Sequence, residues 1–384
     1  MNELTQPIEL TVCVITRDDV ATVPLCLSSL TDVAVEILLV DCGSSDGTVR
    51  VAREFDATVI ELTGATGKAM ACQTAVTAAR FDWLLYLQPD QWLTVDDQDK
   101  LRQRLSTGPA TTYLAAEYRI DNPEDFFYRP TLFHRSDLPE YDPVLDEFRP
   151  DRHSFLAGVG IYRNNIDSYL RRVTERLSVI DERLRQVPEN INYLYHKAFY
   201  HRELGQADHF QNAVLDGIRR MTTCPPEQVI AEPAAAGLFG YYADSLIKQG
   251  QYTPQMVESL VHLQQNLPAD VRLNRPLAHL LRQSGRLDEA RALLEEAVQL
   301  AFQPVCGTLT HYNNFIEPVV DLLDLVRTTG AEDDLINTLL NIQVLTQQHE
   351  FDGRSLFQFL NLHQPDFFNL IEGVMKRKIE QIGQ

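Results

Sequence analysis

The stretch ILLVDCGSSDGT, residues Ile37–Thr48, decides the fold of the N-terminal part of the chain. It begins with four apolar residues, two of them β-branched, which is typical of a parallel strand buried on both faces. Asp41 then ends the strand, at the edge where open α/β sheets bind ligands. Gly43 and Gly47 permit the positive φ angles of a sharp turn. Polar residues in that turn are suited to cap a helix that begins near Val49.

Similar apolar runs lie on both sides of this stretch. They predict further strands at residues 10–16, 57–62 and 82–87, with helices between them that include residues 48–55 and 69–80. Strands that alternate with helices at this spacing indicate βαβ units and a largely parallel sheet. Three of the four strands end in turns that carry aspartate. Carboxylates are therefore expected at one edge of the sheet, where they suit a divalent cation and a ribose or base.

The composition restricts the classes of protein and partner. A chain of 384 residues suggests two or three domains. Its net charge of −20 does not favour nucleic acid or anionic lipid as a partner. The six cysteines form no C-x-x-C motif, so reduced, buried thiols are expected. The sequence shows no secretory signal and no apolar stretch near the roughly 18 residues of a membrane span. It predicts a cytoplasmic protein with no transmembrane segment.

Three motifs follow one another in a recognisable order. They are VCVITRDD from Val12, ILLVDCGSSDGTVRVARE from Ile37 and FDWLLYLQPDQWL from Phe81. This series resembles the family 2 glycosyltransferases with a GT-A nucleotide-diphospho-sugar fold, in the variety that is often fused to helical repeats. The resemblance covers roughly residues 9 to 150. It implies transfer of a sugar from a nucleotide-diphospho-sugar donor to an acceptor, with inversion at the anomeric carbon.

The resemblance also implies roles for individual residues. The loop that contains Thr16, Arg17 and Asp19 would lie along the nucleotide, and Asp41 would accept a hydrogen bond from the base. Asp90, the last acid of the family's DxD motif, would hold Mn²⁺ or Mg²⁺. Such an ion would stabilise the negative charge of the departing nucleoside diphosphate. The other residues expected to bind the nucleotide-sugar are Gly43, Lys68, Gln73 and Gln88.

The chain departs from the family pattern at several positions. Gln88, a neutral amide, stands at the first acid of the DxD motif. Cys72 and Gln73 stand where the family often has a basic residue and an asparagine. Lys68 is therefore a candidate for the missing positive charge. The alternative interpretations are an ordinary turn at Asp90 and a lysine with no role in the site at Lys68.

An inverting transfer needs a carboxylate base that deprotonates the acceptor hydroxyl. The family usually carries it in a G-x-(V/I)-H-E segment, and the comparable run here is YDPVLDE, residues 141–147. Asp146 stands at the position of the glutamate and is the first candidate, Glu147 is the second and Glu117 the third. The alternative for Asp146 is a solvated acid in an acid-rich loop. The alternative for the whole protein is a catalytically silent scaffold that binds partners without sugar transfer.

From about residue 164 the apolar residues recur at helical spacing. Similar phrases centre on Gly205, Gly250, Gly285 and Gly330, and the one around Gly285 has the pattern of a tetratricopeptide repeat, whose period is about 34 residues. Stacked repeats leave a concave surface. That surface would hold a protein partner or a protein acceptor, or would form a homodimer. The alternative is a module that serves only for packing and oligomerisation.

The predicted architecture therefore has three parts. Residues 1–160 form an α/β GT-A domain, Rossmann-like, of the nucleotide-diphospho-sugar transferase type. Residues 161–350 form an all-α tetratricopeptide-like domain, and residues 351–384 form C-terminal capping helices. The acceptor is expected to be a protein or a cell-envelope glycan.

Overall fold

The computed structural model describes residues 8–30, 34–62, 68–108, 110–119, 126–142, 147–149, 154–163, 166–302, 316–330, 332–348, 360–361 and 365–382. The described residues up to Arg171 form one compact unit, and those from Arg172 onward form a second. The first contains all the β-strands that are described below, and the second is built from helices. The divisions predicted at 160/161 and 350/351 stay predictions.

The first unit is an α/β domain of the predicted GT-A type. Its elements are β1 (Ile8–Thr16), α1 (Val23–Ser28), β2 (Ala34–Asp41), α2 (Thr48–Glu54), β3 (Thr58–Glu61), α3 (Lys68–Ala78), β4 (Trp83–Leu87), β5 (Gln91–Trp92), α4 (Val95–Thr107), β6 (Tyr113–Arg119), β7 (Phe126–His134), β8 (Glu140–Asp142), β9 (Glu147–Arg149) and β10 (Ser154–Arg163). The alternation of strand and helix up to β4 confirms the predicted βαβ units.

Eight of the described strands form one mixed sheet, in the order β3-β2-β1-β4-β7-β6-β10-β5. β1 runs parallel to β2 and β4, and β2 runs parallel to β3. The parallel prediction is therefore correct for this half of the sheet. The other half is mixed, because β7 runs antiparallel to both β4 and β6. The register of β1 and β2 sets Thr16 opposite Asp41, so both strands end at the same edge.

Apolar side chains are buried on both faces of β1, because alternate residues of a strand point to opposite faces. Val12 and Val14 pack with Leu27 of α1 in one core cluster. Cys13 lies in a second cluster, together with Cys72 of α3. Burial raises the pKa of the Cys13 thiol to about 12, so the thiol stays protonated at neutral pH. The predicted burial of thiols is correct at these two positions.

The second unit is helical. α5 (Ile166–Gln186) spans the division between the units, and the helices that follow are α6 (Ile191–Glu203), α7 (Ala207–Met221), α8 (Pro226–Ala231), α9 (Pro233–Gln249), α10 (Pro254–Asn266), α11 (Val271–Gln283), α12 (Leu287–Phe302), α13 (Ile316–Thr329), α14 (Glu332–Gln348) and α15 (Pro365–Ile382). α15 lies in the last part of the predicted capping segment, whose capping role stays a prediction. Residues 351–359 of that segment lie outside the described residues.

Glycine turns connect successive helices of this unit. Gly205, Gly250 and Gly285 follow α6, α9 and α11 with φ angles of 67°, 61° and 77°. This left-handed backbone favours glycine and commonly ends a helix. The turns therefore match the helix-turn-helix phrases of the sequence, and the tetratricopeptide-like prediction is confirmed.

Aromatic side chains form the core between α6 and α9. Tyr195, Phe199 and Tyr241 are buried, and the rings of Tyr195 and Tyr241 stack with their centroids 5.3 Å apart. These rings therefore hold helices together and do not line a groove. Across the described ranges, the helices lack the combination of length and hydropathy that crossing a bilayer requires.

Candidate functional site

The loops that follow β1 and β2 are tied to each other at the carboxyl edge of the sheet. The Asp18 N–H donates to Ser44 Oγ over 2.9 Å, and the Ser45 N–H donates to Asp18 Oδ1 over 2.7 Å. Asp46 Oδ2 accepts a hydrogen bond from the Val20 N–H over 3.0 Å. The loop after β1 is thereby held against the loop after β2. The side chains of Asp18, Ser44 and Asp46 therefore have a structural role in this contact.

Asp41 anchors the second of these loops from within the protein. Its carboxylate accepts hydrogen bonds from the Gly43 and Ser44 N–H groups, at 3.0 and 2.9 Å, and from the Thr16 hydroxyl at 3.2 Å. The Ser44 hydroxyl is a further donor to it. A carboxylate offers about four acceptor positions, so Asp41 is saturated. The structure brings Thr16, Asp41 and Gly43 together, while a hydrogen bond from the base to Asp41 stays a prediction.

Asp19 is buried at the base of the first loop. Its Oδ2 accepts from the Arg17 N–H at 2.9 Å, and its Oδ1 accepts from Arg171 Nη2 at 3.0 Å. Its own N–H donates to Thr48 Oγ1 over 3.0 Å. Asp19 therefore fixes the loop, whereas Arg17 is exposed and accessible to a ligand.

Two basic residues, Arg17 and Lys68, affect the pKa of Cys42, which follows β2. Burial is the main cause that raises the pKa of the Cys42 thiol, and Asp41 adds to it, while the charges of Lys68 and Arg17 lower it. Both cations are therefore within electrostatic range of Cys42. Lys68 is the first residue of α3 and is half-buried. A diphosphate placed at this edge would meet two positive charges, which stabilise phosphate oxygens through charge-assisted hydrogen bonds.

Arg163 binds both polar residues of the QPD turn that follows β4, a role that the motifs did not reveal. Its Nη2 donates to Gln88 Oε1 over 2.9 Å, and its Nη1 donates to Asp90 Oδ2. Its Nε donates to Glu117 Oε1 over 2.9 Å. The Arg163 side chain is only 2% exposed. It stands at the end of β10 and 73 positions from Asp90 along the chain, so only the sheet topology brings the two together.

Glu117 completes a buried group that we call the Arg163 cluster: Gln88, Asp90, Gln91, Glu117, Arg129 and Arg163. Glu117 Oε2 accepts from Gln91 Nε2 at 2.7 Å and lies 3.2 Å from Arg129 Nε. Burial acts to raise the pKa of Glu117, but the charges of Arg163 and Arg129 hold it below its ordinary value. The carboxylate is ionised and buried, which argues against Glu117 as the base.

The Arg163 cluster does not fit the predicted Mn²⁺ or Mg²⁺ ion. Such hard cations require several oxygen ligands and favour carboxylates. Both carboxylates here, Asp90 and Glu117, already pair with an arginine, and the Gln88 oxygen accepts from the same guanidinium. Within the part of the chain that the structure describes, no three His, Cys, Asp or Glu side chains are arranged to hold a metal. The metal at Asp90 stays an expectation that this donor set does not support.

Gln73 lines a cavity of about 380 Å³ that is bordered by α3, the main sheet and the β8–β9 pair. Its lining is mostly apolar and includes Tyr86, Phe133 and Phe148. This lining suits an apolar group better than a diphosphate, because buried phosphate oxygens need hydrogen-bond donors.

Of the two base candidates, Asp146 lies outside the described residues. Glu147 is the first residue of β9, and its backbone is paired with Asp142 of β8. Their predicted role stays a prediction.

Comparisons with known proteins agree with this architecture. Residues 11–170 match the family model described as Glycosyl transferase family 2. The chain carries a glycosyl transferase family 2 domain. This domain corresponds to the α/β unit and includes the loops after β1 and β2, the QPD turn and Arg163.

A curated relative is the TPR repeat-containing protein Synpcc7942_0270 of Synechococcus elongatus. It is 31% identical over 105 residues, which are 27% of this chain and 26% of that protein. The match therefore spans about a quarter of the relative. Its description agrees with the helical repeats that follow the glycosyltransferase domain.

Two solved structures are similar to this chain at lower identity. S. aureus TarS 1–349 is 14% identical, with a TM-score of 0.40, over 64% of this chain and 93% of that chain. Glucosyl-3-phosphoglycerate synthase from Mycobacterium tuberculosis, in complex with Mn²⁺, UDP and glucosyl-3-phosphoglycerate, is 21% identical. Its TM-score is 0.24, over 29% of this chain and 43% of that chain.

Proposed function

We propose that the glycosyltransferase domain transfers a sugar from a nucleotide-diphospho-sugar to an acceptor hydroxyl, with inversion at the anomeric carbon. The observation that carries this proposal is the shared edge of β1 and β2. There the two family motifs are locked together by hydrogen bonds, and Arg17 and Lys68 both act on the end of β2. A loop pair that is fixed before the ligand arrives loses little entropy on binding.

The proposed chemistry assigns separate roles to the two faces of the anomeric carbon. As the bond from the anomeric carbon to the diphosphate breaks, negative charge develops on the leaving group. Cations beside the leaving group stabilise that charge, and we assign this role to Arg17 and Lys68. On the opposite face of the anomeric carbon the acceptor oxygen forms the new bond while a carboxylate takes its proton. Attack from this face gives inversion. Asp146 is our first candidate for this base and Glu147 the second.

The proposed mechanism uses no Mn²⁺ or Mg²⁺, because the Arg163 cluster does not fit such an ion. We propose a protein or a cell-envelope glycan as the acceptor. The helical unit is proposed to bind a protein partner or acceptor, or to form a homodimer, since stacked repeats leave a concave surface. The cytoplasmic location stays a prediction.

Calorimetric titration with UDP-, GDP- and dTDP-sugars tests the donor site. One of these donors should bind, and Arg17→Ala and Lys68→Ala should each weaken binding about ten- to hundredfold, since a hydrogen bond to a charged group contributes about 1.5–3 kcal/mol. Arg102→Ala is the matched control, because Arg102 pairs with Asp99 on α4 and not at this edge. Equal affinity in all four proteins would contradict the assignment of the two cations.

A catalytically silent scaffold is the second candidate function. The observation that favours it is the burial of Asp90 and Arg163, because an ion-paired, solvent-excluded cluster fills the place of the family's DxD motif. The scaffold predicts that none of the three donors binds. It also predicts that no sugar is released or transferred in the presence of candidate acceptors.

A further inference from the structure

The Arg163 cluster has the form of a cation site whose cation is part of the protein. Three oxygens, from Gln88, Asp90 and Glu117, converge on one guanidinium. The side chains of Arg163 and Asp90 are 2% and 0% exposed, so bulk water does not screen the pair. The Arg163 guanidinium also lies 5.2 Å from the centroid of the Tyr169 ring, which stabilises its charge through a cation–π contact.

The formal charges of this cluster cancel. Asp90 and Glu117 contribute two negative charges, and Arg163 and Arg129 contribute two positive charges. A divalent cation added to this group would leave two uncompensated positive charges in a buried region, which is strongly unfavourable. The formal charges of the cluster therefore balance without a metal.

Charge balance also explains the glutamine at the first position of the QPD turn. Gln88 Oε1 accepts a hydrogen bond from Arg163 without adding charge. An aspartate at this position would bring a third carboxylate to the cluster against two arginines. The neutral Gln88 and the charge of Arg163 therefore suit each other. A neutral oxygen keeps the net charge at zero when an arginine is present, whereas a third carboxylate would balance a divalent metal ion.

We infer that the Arg163 guanidinium occupies the metal position of this glycosyltransferase domain, so that the domain binds no Mn²⁺ at Asp90 and binds its donor independently of divalent cations. The first half of this inference stands on the cluster alone. The second half rests on the proposed function, because it requires that a nucleotide-sugar binds.

Electron paramagnetic resonance of Mn²⁺ titrated into the whole chain tests the first half. The wild type and Arg102→Ala should leave all Mn²⁺ free. The double variant Arg163→Ala/Gln88→Asp should bind one Mn²⁺ per chain, because three carboxylates then face a vacated cation position. Its melting temperature should also rise when Mn²⁺ is added, since a ligand of the native state stabilises it.

One Mn²⁺ per wild-type chain that is lost in Asp90→Asn would overturn the inference. So would a double variant that is folded by circular dichroism and binds no Mn²⁺. If the double variant does not fold, the wild type and Asp90→Asn still decide the matter. If Arg163 fills the metal position, neither protein binds Mn²⁺; if Asp90 holds a metal, only the wild type binds it.

Donor titration in EDTA and in Mn²⁺ tests the second half. The dissociation constant of the donor that binds should be unchanged between the two conditions, whereas a requirement for Mn²⁺ would overturn the inference. If no donor binds in either condition, the proposed function fails. The Mn²⁺ titration still decides the role of Arg163 in that case.

Discussion

At the scale of single residues, Arg163 is where we expect the largest loss of stability on substitution. Arg163→Met keeps an unbranched chain of similar length but removes the charge, which leaves Asp90 and Glu117 buried without their partner. We expect a loss of about 3–5 kcal/mol in the free energy of unfolding. Urea denaturation measures it, and Arg50→Ala, which removes an exposed ion pair with Glu54 on α2, should change it by no more than about 1 kcal/mol.

The same substitution should have a distinctive pH dependence. In the wild type the folded-state pKa of Glu117 lies below its ordinary value of 4.5, so this carboxylate stabilises the fold above that pH and loses its effect as the pH falls through the lowered pKa. Without Arg163, burial would raise the pKa of Glu117 above its unfolded value. The destabilisation caused by Arg163→Met should therefore shrink as the pH is lowered from 7 towards 4.5. A constant difference in unfolding free energy across that range would contradict this account.

Asp41 should matter for stability even in the absence of a donor. In Asp41→Asn one carboxylate oxygen becomes an NH₂ group, which cannot accept hydrogen bonds. At Oδ2 it would leave the Gly43 and Ser44 N–H groups without their acceptor, and at Oδ1 it would lose the bond from the Thr16 hydroxyl. We expect a loss of about 1–3 kcal/mol, the cost of leaving buried donors unsatisfied. Asp56→Asn is the control, because Asp56 is exposed and its positive φ of 54° tolerates asparagine. Equal midpoints in chemical denaturation would show that Asp41 is not a structural anchor.

At the scale of elements, the close approach of α9 and α11 depends on one glycine. A Cβ at Gly240 would lie 1.9 Å from the Arg272 carbonyl oxygen, which is backbone and cannot rotate away. Gly240→Ala should therefore destabilise the helical unit by about 1–3 kcal/mol or more.

Gly373→Ala in α15 is the matched control for Gly240→Ala. A Cβ there meets only the end of the Arg377 side chain, at 3.7 Å. Alanine favours a helix over glycine by up to about 1 kcal/mol, so this variant should be as stable as the wild type or more stable. Thermal melting of both variants checks the pair, and a Gly240→Ala protein that melts with the wild type would contradict the predicted clash.

The elements that are predictable from the sequence are those that local pattern determines. β1, β2 and β4 are apolar runs that end in polar turns, and Gly205, Gly250 and Gly285 mark helix ends by a backbone that only glycine adopts easily. The antiparallel half of the sheet is not determined in this way. The partners of β7 and β10 depend on register shifts and on chain reversal, which local sequence does not encode.

In the candidate site, too, the residues grouped by adjacent parallel strands are predictable, and those grouped by the rest of the sheet are not. The grouping of Thr16, Asp41 and Gly43 follows from adjacent strands of one parallel sheet, and the sequence predicts it. Arg163 could not be predicted, because its partners Asp90 and Gln88 lie 73 and 75 positions away. The one signal in the sequence was the neutral Gln88 in an acidic motif, which indicates that some other group supplies the missing charge balance.

At the scale of the whole molecule, the two compact units should unfold in separable transitions, since multidomain chains commonly depart from two-state behaviour. In scanning calorimetry, Arg163→Met should lower the temperature of one transition and Gly240→Ala that of the other. If both variants shift a single common transition, the units are one cooperative body and this prediction is wrong.

The central claim is that a nucleotide-diphospho-sugar binds at the joined ends of β1 and β2 while Arg163 holds the metal position. A crystal structure of the chain with bound donor and with Mn²⁺ in the crystallisation medium tests it most directly. We predict diphosphate density between Arg17 and Lys68, Arg163 still bonded to Asp90, and no anomalous Mn²⁺ peak beside Asp90. A Mn²⁺ peak coordinated by Asp90, or donor density away from this edge, would contradict the account.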